Sequence, residues 1–292
     1  MRKKYTPLRN YGVIGDMRSA ALISLSGSLD WLCLPDFDSP STFAAILDAN
    51  KGGYWRMAPI GKFASRHFYV TDTNVLSTIF ETSAGSAELV DLMPLGENGG
   101  TPNCRVLRIL RGLQGSMTFR CTFAPRLDYA RGDTQIDVVR GGAVASKDGC
   151  RLALSSSVEM KEGEEGAEVD FEIKEGETVP FCLAWNAAEP PNPGAMERLM
   201  AKTIERWRAI AATITYDGRW REEVRRSALA LHLLVYEPTG TLVAAPTTSL
   251  PEWIGGKRNW DYRFCWIRVR RIRWTYSPES VTRARRGAFW PG

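Results

Sequence analysis

Hydrophobic residues recur at every second position up to about residue 190, and at every third or fourth position after it. Met117, Phe119, Cys121 and Phe123 alternate with Thr118, Arg120 and Thr122. Val169, Phe171 and Ile173 alternate with Glu168, Asp170, Glu172 and Lys174. A strand sends successive side chains to opposite faces, so such runs describe antiparallel strands with one packed and one wet face. Ser26-Gly27, Ala84-Gly85, Gly141-Gly142 and Asp148-Gly149 supply tight turns between runs. Many short strands punctuated in this way predict a large antiparallel β-sandwich over 1–190. The acidic stretch from Glu159 to Glu177 reads as a solvated hairpin rather than a metal site, because glycines and lysines interrupt it.

Pro190-Pro191-Asn192-Pro193-Gly194 ends the alternation and reads as a linker. Leu199, Thr203, Trp207, Ile210 and Ile214 then fall on one face of a helix over 197–214. Asp217-Gly218 interrupts, and a second helix over 219–236 is expected to place Trp220, Val224, Ala228, Leu231 and Val235 inward. The expected fold class is therefore mainly β followed by α. A sandwich over 1–190 leads into a linker with a helix over 191–218, then the start of a helical domain over 219–268.

Charge divides the chain differently. The formal net charge is +5, yet residues 269–292 hold six arginines and one glutamate, and residues 1–268 carry 32 basic and 32 acidic side chains. A basic surface attracts polyanions only where it is concentrated on one face. Arginines interleaved with Trp274, Tyr276 and Trp290 fit a nucleic-acid or membrane arm in composition alone. The run has no apolar period, however, and a stretch translated out of frame accounts for it better. Neither nucleic acid nor membrane is expected as a partner.

Six cysteines are scattered without CxxC or Cys/His clustering, which argues against zinc and for a reduced, cytoplasmic protein with buried thiols. The N-terminus has no apolar core of secretory length, and the apolar run Ala228–Val235 is far short of the ~20 residues that cross a bilayer. No metal or cofactor is expected. His67, in a strand-like run, and His232, on a helix, read as structural, and Asp16, Asp30, Asp36 and Asp38 as turn and interface residues.

Chemistry concentrates between Ala244 and Arg268. This stretch holds Trp253, Trp260, Tyr262 and Trp266 together with Arg258, Asp261, Arg263 and Arg268, and Trp220 lies upstream. The C–H face of a pyranose stacks on an aromatic ring while its hydroxyls take directional bonds from charged groups, so this mixture suits a sugar site. Gly255-Gly256 lets the backbone turn beside it. An aromatic core between domains, held by Arg–Asp pairs, would use the same residues.

The stretch SLPEWIGGKRNWDYRFCWIR resembles the signature of glycoside hydrolase family 15, the glucoamylase, glucodextranase and trehalase-like enzymes. Ile14-Gly15-Asp16, Ser19 to Leu22, Gly27 to Pro35, Phe37 to Ser41 and Phe43-Ala44-Ala45 are similar to the trehalase-like N-terminal domain of bacterial members. The likeness covers 5–268. It implies a β-super-sandwich, a linker helix and the first part of an (α/α)6 barrel, and an inverting, exo-acting hydrolase releasing glucose from malto-oligosaccharide, dextran or trehalose. It further implies that Tyr262 and Trp266 contact the non-reducing glucose and that Arg268 donates to its hydroxyls. Trp260 and Asp261 also match the signature and join the expected substrate-binding set. A non-catalytic glycan-binding or barrel-docking sandwich is the alternative expectation.

The family pattern continues with Asp after Arg268, where this chain has Val269, and nothing beyond matches. Loss of one A from a GAT codon followed by GCG yields Val269, Arg270 and Arg271. Reading on in the restored frame allows Ala-Ala, then Ser-Leu-Asp, an amphipathic helix, a Gly-Tyr loop and an Ala-Arg-Glu-Ala helix start. The Asp of Ser-Leu-Asp is fixed by Trp274, whose only codon is TGG, followed by the AC of Thr275. The expectation is a frame change after Arg268, with both catalytic glutamates of the family absent and the 292-residue chain inactive.

Overall fold

A computed structural model of the chain describes residues 5–96, 104–186, 195–250 and 256–266. The Pro-rich linker at 190–194, Trp253, Gly255, Arg268 and the basic run 269–292 lie outside the described residues.

In chain order the first strands are β1 (Tyr11–Gly15), β2 (Ala20–Ser24), β3 (Ser28–Cys33), β4 (Ser41–Phe43) and β5 (Tyr54–Pro59). β6 (Ala64–Tyr69), β7 (Leu76–Thr82), β8 (Gly85–Leu92) and the 20-residue β9 (Arg105–Ala124) follow. β10 (Gln135–Val139), β11 (Gly142–Lys147), β12 (Cys150–Ser156), β13 (Lys161–Glu162), β14 (Ala167–Lys174) and β15 (Thr178–Trp185) complete the sandwich. Every pairing is antiparallel. One layer runs β1-β2-β3-β5-β9-β14-β13, with β4 on β3; the other runs β6-β7-β8-β9-β15-β12-β11-β10. The expected turns at 26–27, 84–85, 141–142 and 148–149 all join adjacent strands.

β9 belongs to both layers. Its first half pairs with β8 and β15, and its second with β5 and β14. The change of layer falls at Gly112 and Gly115, where a Cβ would stand 2.0 Å from the Lys174 carbonyl oxygen and 2.3 Å from that of Ala84. Gly115 also has φ +65°. A strand can bend this sharply beside other backbones only where it lacks side chains. Met117, Phe119, Cys121 and Phe123 face the core as their alternation requires. Phe80 meets Phe119 edge-on at 5.7 Å, and Phe171 meets Phe181 at 6.0 Å, closing the space between the layers.

A second core forms on the outer face of β8, β9 and β15, where Val90, Leu92, Leu107, Ile109 and Cys182 are covered by two helices. These are α1 (Met196–Ala212) and α2 (Arg221–Leu233). Strands buried on both faces lose their alternation, which explains the continuous apolar run around Leu107. α1 buries Thr203 and Trp207 as expected but ends before Ile214.

The inward face of α2 differs from the expectation. Leu229 and Leu233 are buried, whereas Trp220 and Leu231 are exposed, and Val235 is buried in β16 (Val235–Tyr236), paired with β17 (Thr241–Leu242). Arginines set this phase. Arg225 pairs with Asp72 at 2.9 Å, and Arg226 donates to the Thr73 carbonyl at 2.6 Å and to Asn74 while lying over the Tyr69 ring at 4.1 Å. Asn74 in turn donates to the Leu229 carbonyl at 2.9 Å. Long arginine stems pack as apolar groups while their heads bond, so part of the buried stripe reads as polar. Among the described residues, no helix is long and apolar enough to cross a membrane.

Candidate functional site

The segment 256–266 returns from the helical half to the sandwich. Ala244 N–H donates to the Phe264 carbonyl at 3.1 Å and Ala245 N–H to that of Tyr262 at 2.8 Å, which anchors the turn at Tyr262–Arg263 against the segment after β17. The buried Trp31 of β3 donates its indole N–H to the Pro246 carbonyl at 2.8 Å, tying this segment to the sandwich. Within this turn Arg263 is buried and Phe264 half exposed.

Arg263 is the hub. Its Nε and Nη2 grip Asp261, with Nη2 to Oδ2 at 2.7 Å, and the Arg263 N–H donates to Asp261 Oδ1 at 3.0 Å. Nη1 donates to the carbonyls of Ser39 at 2.7 Å and Phe37 at 3.2 Å, and Nη2 also reaches the Tyr129 hydroxyl at 2.7 Å. Burial raises the Asp261 carboxyl, but its bonds to Arg263 outweigh that and hold it below the usual range, so it is a carboxylate. Burial pushes the Cys33 thiol, which faces Arg263, up to about 12.

The loop that accepts from Arg263 is itself braced. Ser19 Oγ donates to the Cys33 carbonyl, and Asp36 N–H donates to Ser39 Oγ at 3.1 Å. Asp36 also accepts from Arg18 at 3.1 Å and from the Tyr236 hydroxyl at 2.9 Å, so β16 closes on the same loop. Asp16 accepts from the N–H groups of Arg18 and Ser19, and Asp30 from Tyr11 and Ser28, matching the turn and interface roles expected of them.

The rings of Tyr262 and Trp266, which flank Arg263 in sequence, stack with centroids 5.1 Å apart and planes 15° from parallel. Trp260 is 59% exposed beside them in sequence. The structure thus stacks Tyr262 on Trp266, joins Asp261 to Arg263, which lies between the two rings in sequence, and leaves Trp260 exposed. Arg268 lies outside the described residues. Sequence reasoning missed Tyr129, Ser39 and Trp31 as parts of this site. They lie 134, 224 and 215 positions from their partners, and no local pattern announces such contacts. Chemically, the site offers a flat aromatic surface and, adjacent in sequence, a charge-balanced, hydrogen-bonded ion pair. Among the described residues, no group of three or more His, Cys, Asp or Glu side chains is placed to hold a metal.

Residues 2–170 match the family described as trehalase-like, N-terminal, and residues 218–268 match glycosyl hydrolases family 15. A trehalase of Thermoplasma acidophilum is 35% identical over 252 residues, covering 85% of this chain and 43% of that protein. A trehalase of Mycolicibacterium smegmatis is 33% identical over 296 residues, covering 92% of this chain and 44% of that protein. The chain therefore spans less than half the length of these relatives. A bacterial glucoamylase complexed with acarbose superposes with a TM-score of 0.63 at 12% identity, over 92% of this chain and 47% of that one, which shows a shared fold.

Proposed function

This chain belongs to the trehalase-like, N-terminal family, and on that premise we propose that it is the N-terminal part of a family 15 α-glucoside hydrolase whose substrate is trehalose. The observation that carries the reading is the stacked Tyr262–Trp266 ring pair, adjacent in sequence to the Arg263–Asp261 pair inside the stretch that matches the hydrolase family. The C–H face of one glucose ring lies on this aromatic surface, where developing positive charge meets the π-faces. Arg268 donates to the sugar hydroxyls, Trp260 forms the rim, and Asp261 acts by holding Arg263.

Inverting hydrolysis needs one carboxylic acid to protonate the leaving oxygen and a second carboxylate to activate water on the opposite face. In this reading neither of the glutamates that serve the family is among residues 1–268, and residues 269–292 represent a shifted frame. The 292-residue chain is accordingly a cytoplasmic, sugar-facing fragment without turnover. Incubation of the purified chain with trehalose, maltose and maltodextrin tests this. No glucose above a buffer blank is expected, and turnover would overturn the assignment of inactivity.

A further inference from the structure

We propose that Arg263 and Tyr129 form a positioning pair through which the β-sandwich sets the stacking of Tyr262 on Trp266. The purpose of the pair rests on the sugar-facing reading above; its geometry does not.

A guanidinium has five N–H donors in a rigid plane. A tether to Asp261 alone would use one edge of that plane, Nε and Nη2. Here the remaining donors address two separate loops of the sandwich: Phe37 and Ser39 on one, Tyr129 on the other. Arg263 is 5% exposed and its bond to the Phe37 carbonyl is buried, while those to Ser39 and Tyr129 are part-buried, Tyr129 itself being half-buried. The hydroxyl of Tyr129 continues to the Ser39 carbonyl at 3.3 Å, which closes a ring of contacts around the guanidinium.

Tyr129 is held for this purpose by unusual backbone. Asp128, Tyr129 and Ala130 have φ of 55°, 54° and 55°, three consecutive side-chain-bearing residues in the left-handed region. Such strain persists only where its surroundings over-determine it. Arg131 and Lys147 both bond Asp128, at 2.5 and 3.3 Å, and the Tyr129 ring lies within 5.3 Å of the Arg131 guanidinium and 5.6 Å of that of Arg263. The loop thus presents the Tyr129 hydroxyl to Arg263 Nη2 at 2.7 Å.

Arg263 directly follows Tyr262 and precedes Trp266 by three residues. With its side chain pinned to the sandwich and the Tyr262 carbonyl held by Ala245, the Tyr262 ring keeps one orientation and Trp266 stacks on it. Arg263 and Tyr129 touch no sugar in this arrangement; they act through the rings.

The near-ultraviolet circular dichroism contributed by Trp266, taken as the difference between the 292-residue chain and W266F, reads this stacking. We expect the band to be largely lost in R263Q, to remain lost in R263K, whose ammonium has no planar fork, and to fall at least to half in Y129F. The far-ultraviolet β signal should stay unchanged in Y129F. If R263Q fails to fold, Y129F, which removes one hydroxyl, carries the test. A Trp266 band of parental size in folded R263Q or in Y129F overturns the proposal, even if the melting temperature drops. Trehalose is then titrated into the unsubstituted chain. A band that responds to Y129F but not to trehalose supports the positioning pair while removing the sugar-facing reading.

Discussion

Arg108 and Asp91 form an ion pair with both side chains wholly excluded from solvent, Nε to Oδ1 at 2.7 Å. They are register partners on β9 and β8, and Arg108 reaches across the sandwich to the carbonyls of Trp55 at 2.7 Å and Gly27 at 2.8 Å. Its guanidinium also lies over the Trp55 ring at 4.9 Å. One side chain therefore ties both layers at their centre. Burial pushes the Asp91 carboxyl upward, opposed by the charge of Arg108.

Breaking that pair from one side should be costly. D91A leaves the Arg108 charge buried and uncompensated, and is expected to lower stability by about 3–5 kcal/mol in urea denaturation. D91L combined with R108M, which removes both charges, should lose less than D91L alone. A D91A midpoint equal to that of the unsubstituted chain would show that the pair does not hold the layers together.

Asp16 makes the stability pH-dependent with an unusual sign. Burial raises its carboxyl to about 6, against the bonds it accepts from the Ser19 and Arg18 amides. The folded state then binds that proton more tightly than the unfolded state does. Its contribution is complete below about 3.8 and is lost as pH rises through about 6. D16N keeps an oxygen acceptor for both amides without a charge to bury. It should therefore be more stable at neutral pH by about 1–3 kcal/mol and flatten the slope between those values. Parallel stability–pH curves for the two proteins would contradict this.

The helical half leaves large apolar side chains in water: Trp220, Leu231, Trp260 and Phe264 are each at least half exposed. Surfaces of this kind promote association. Light scattering should show concentration-dependent self-association, reduced by W220E and L231E together. A monodisperse, cooperatively melting monomer would count against it.

Reading order from sequence worked where one face of an element is wet and the other packed. The alternation in β9 and β14 named their core faces, and paired turn residues marked four hairpins. It failed on α2, because Arg225 and Arg226 occupy the contact face through their stems and bonds to the β6–β7 turn. Arg108 is likewise a charge at a core position that no apolar pattern can reveal. In the candidate site, the ring pair was legible because Tyr262 and Trp266 lie in one short motif. The support around Arg263 was not, since Tyr129 and Ser39 arrive from loops far away in sequence.

The proposed frame change is tested most sharply by glucose release from trehalose by a restored chain, read in the frame that places Asp after Arg268. The prediction is turnover by the restored chain and none by the 292-residue chain. A silent restored chain, folded and soluble, would contradict the assignment to trehalose hydrolysis, and turnover by the 292-residue chain would contradict the placement of its catalytic groups beyond Arg268.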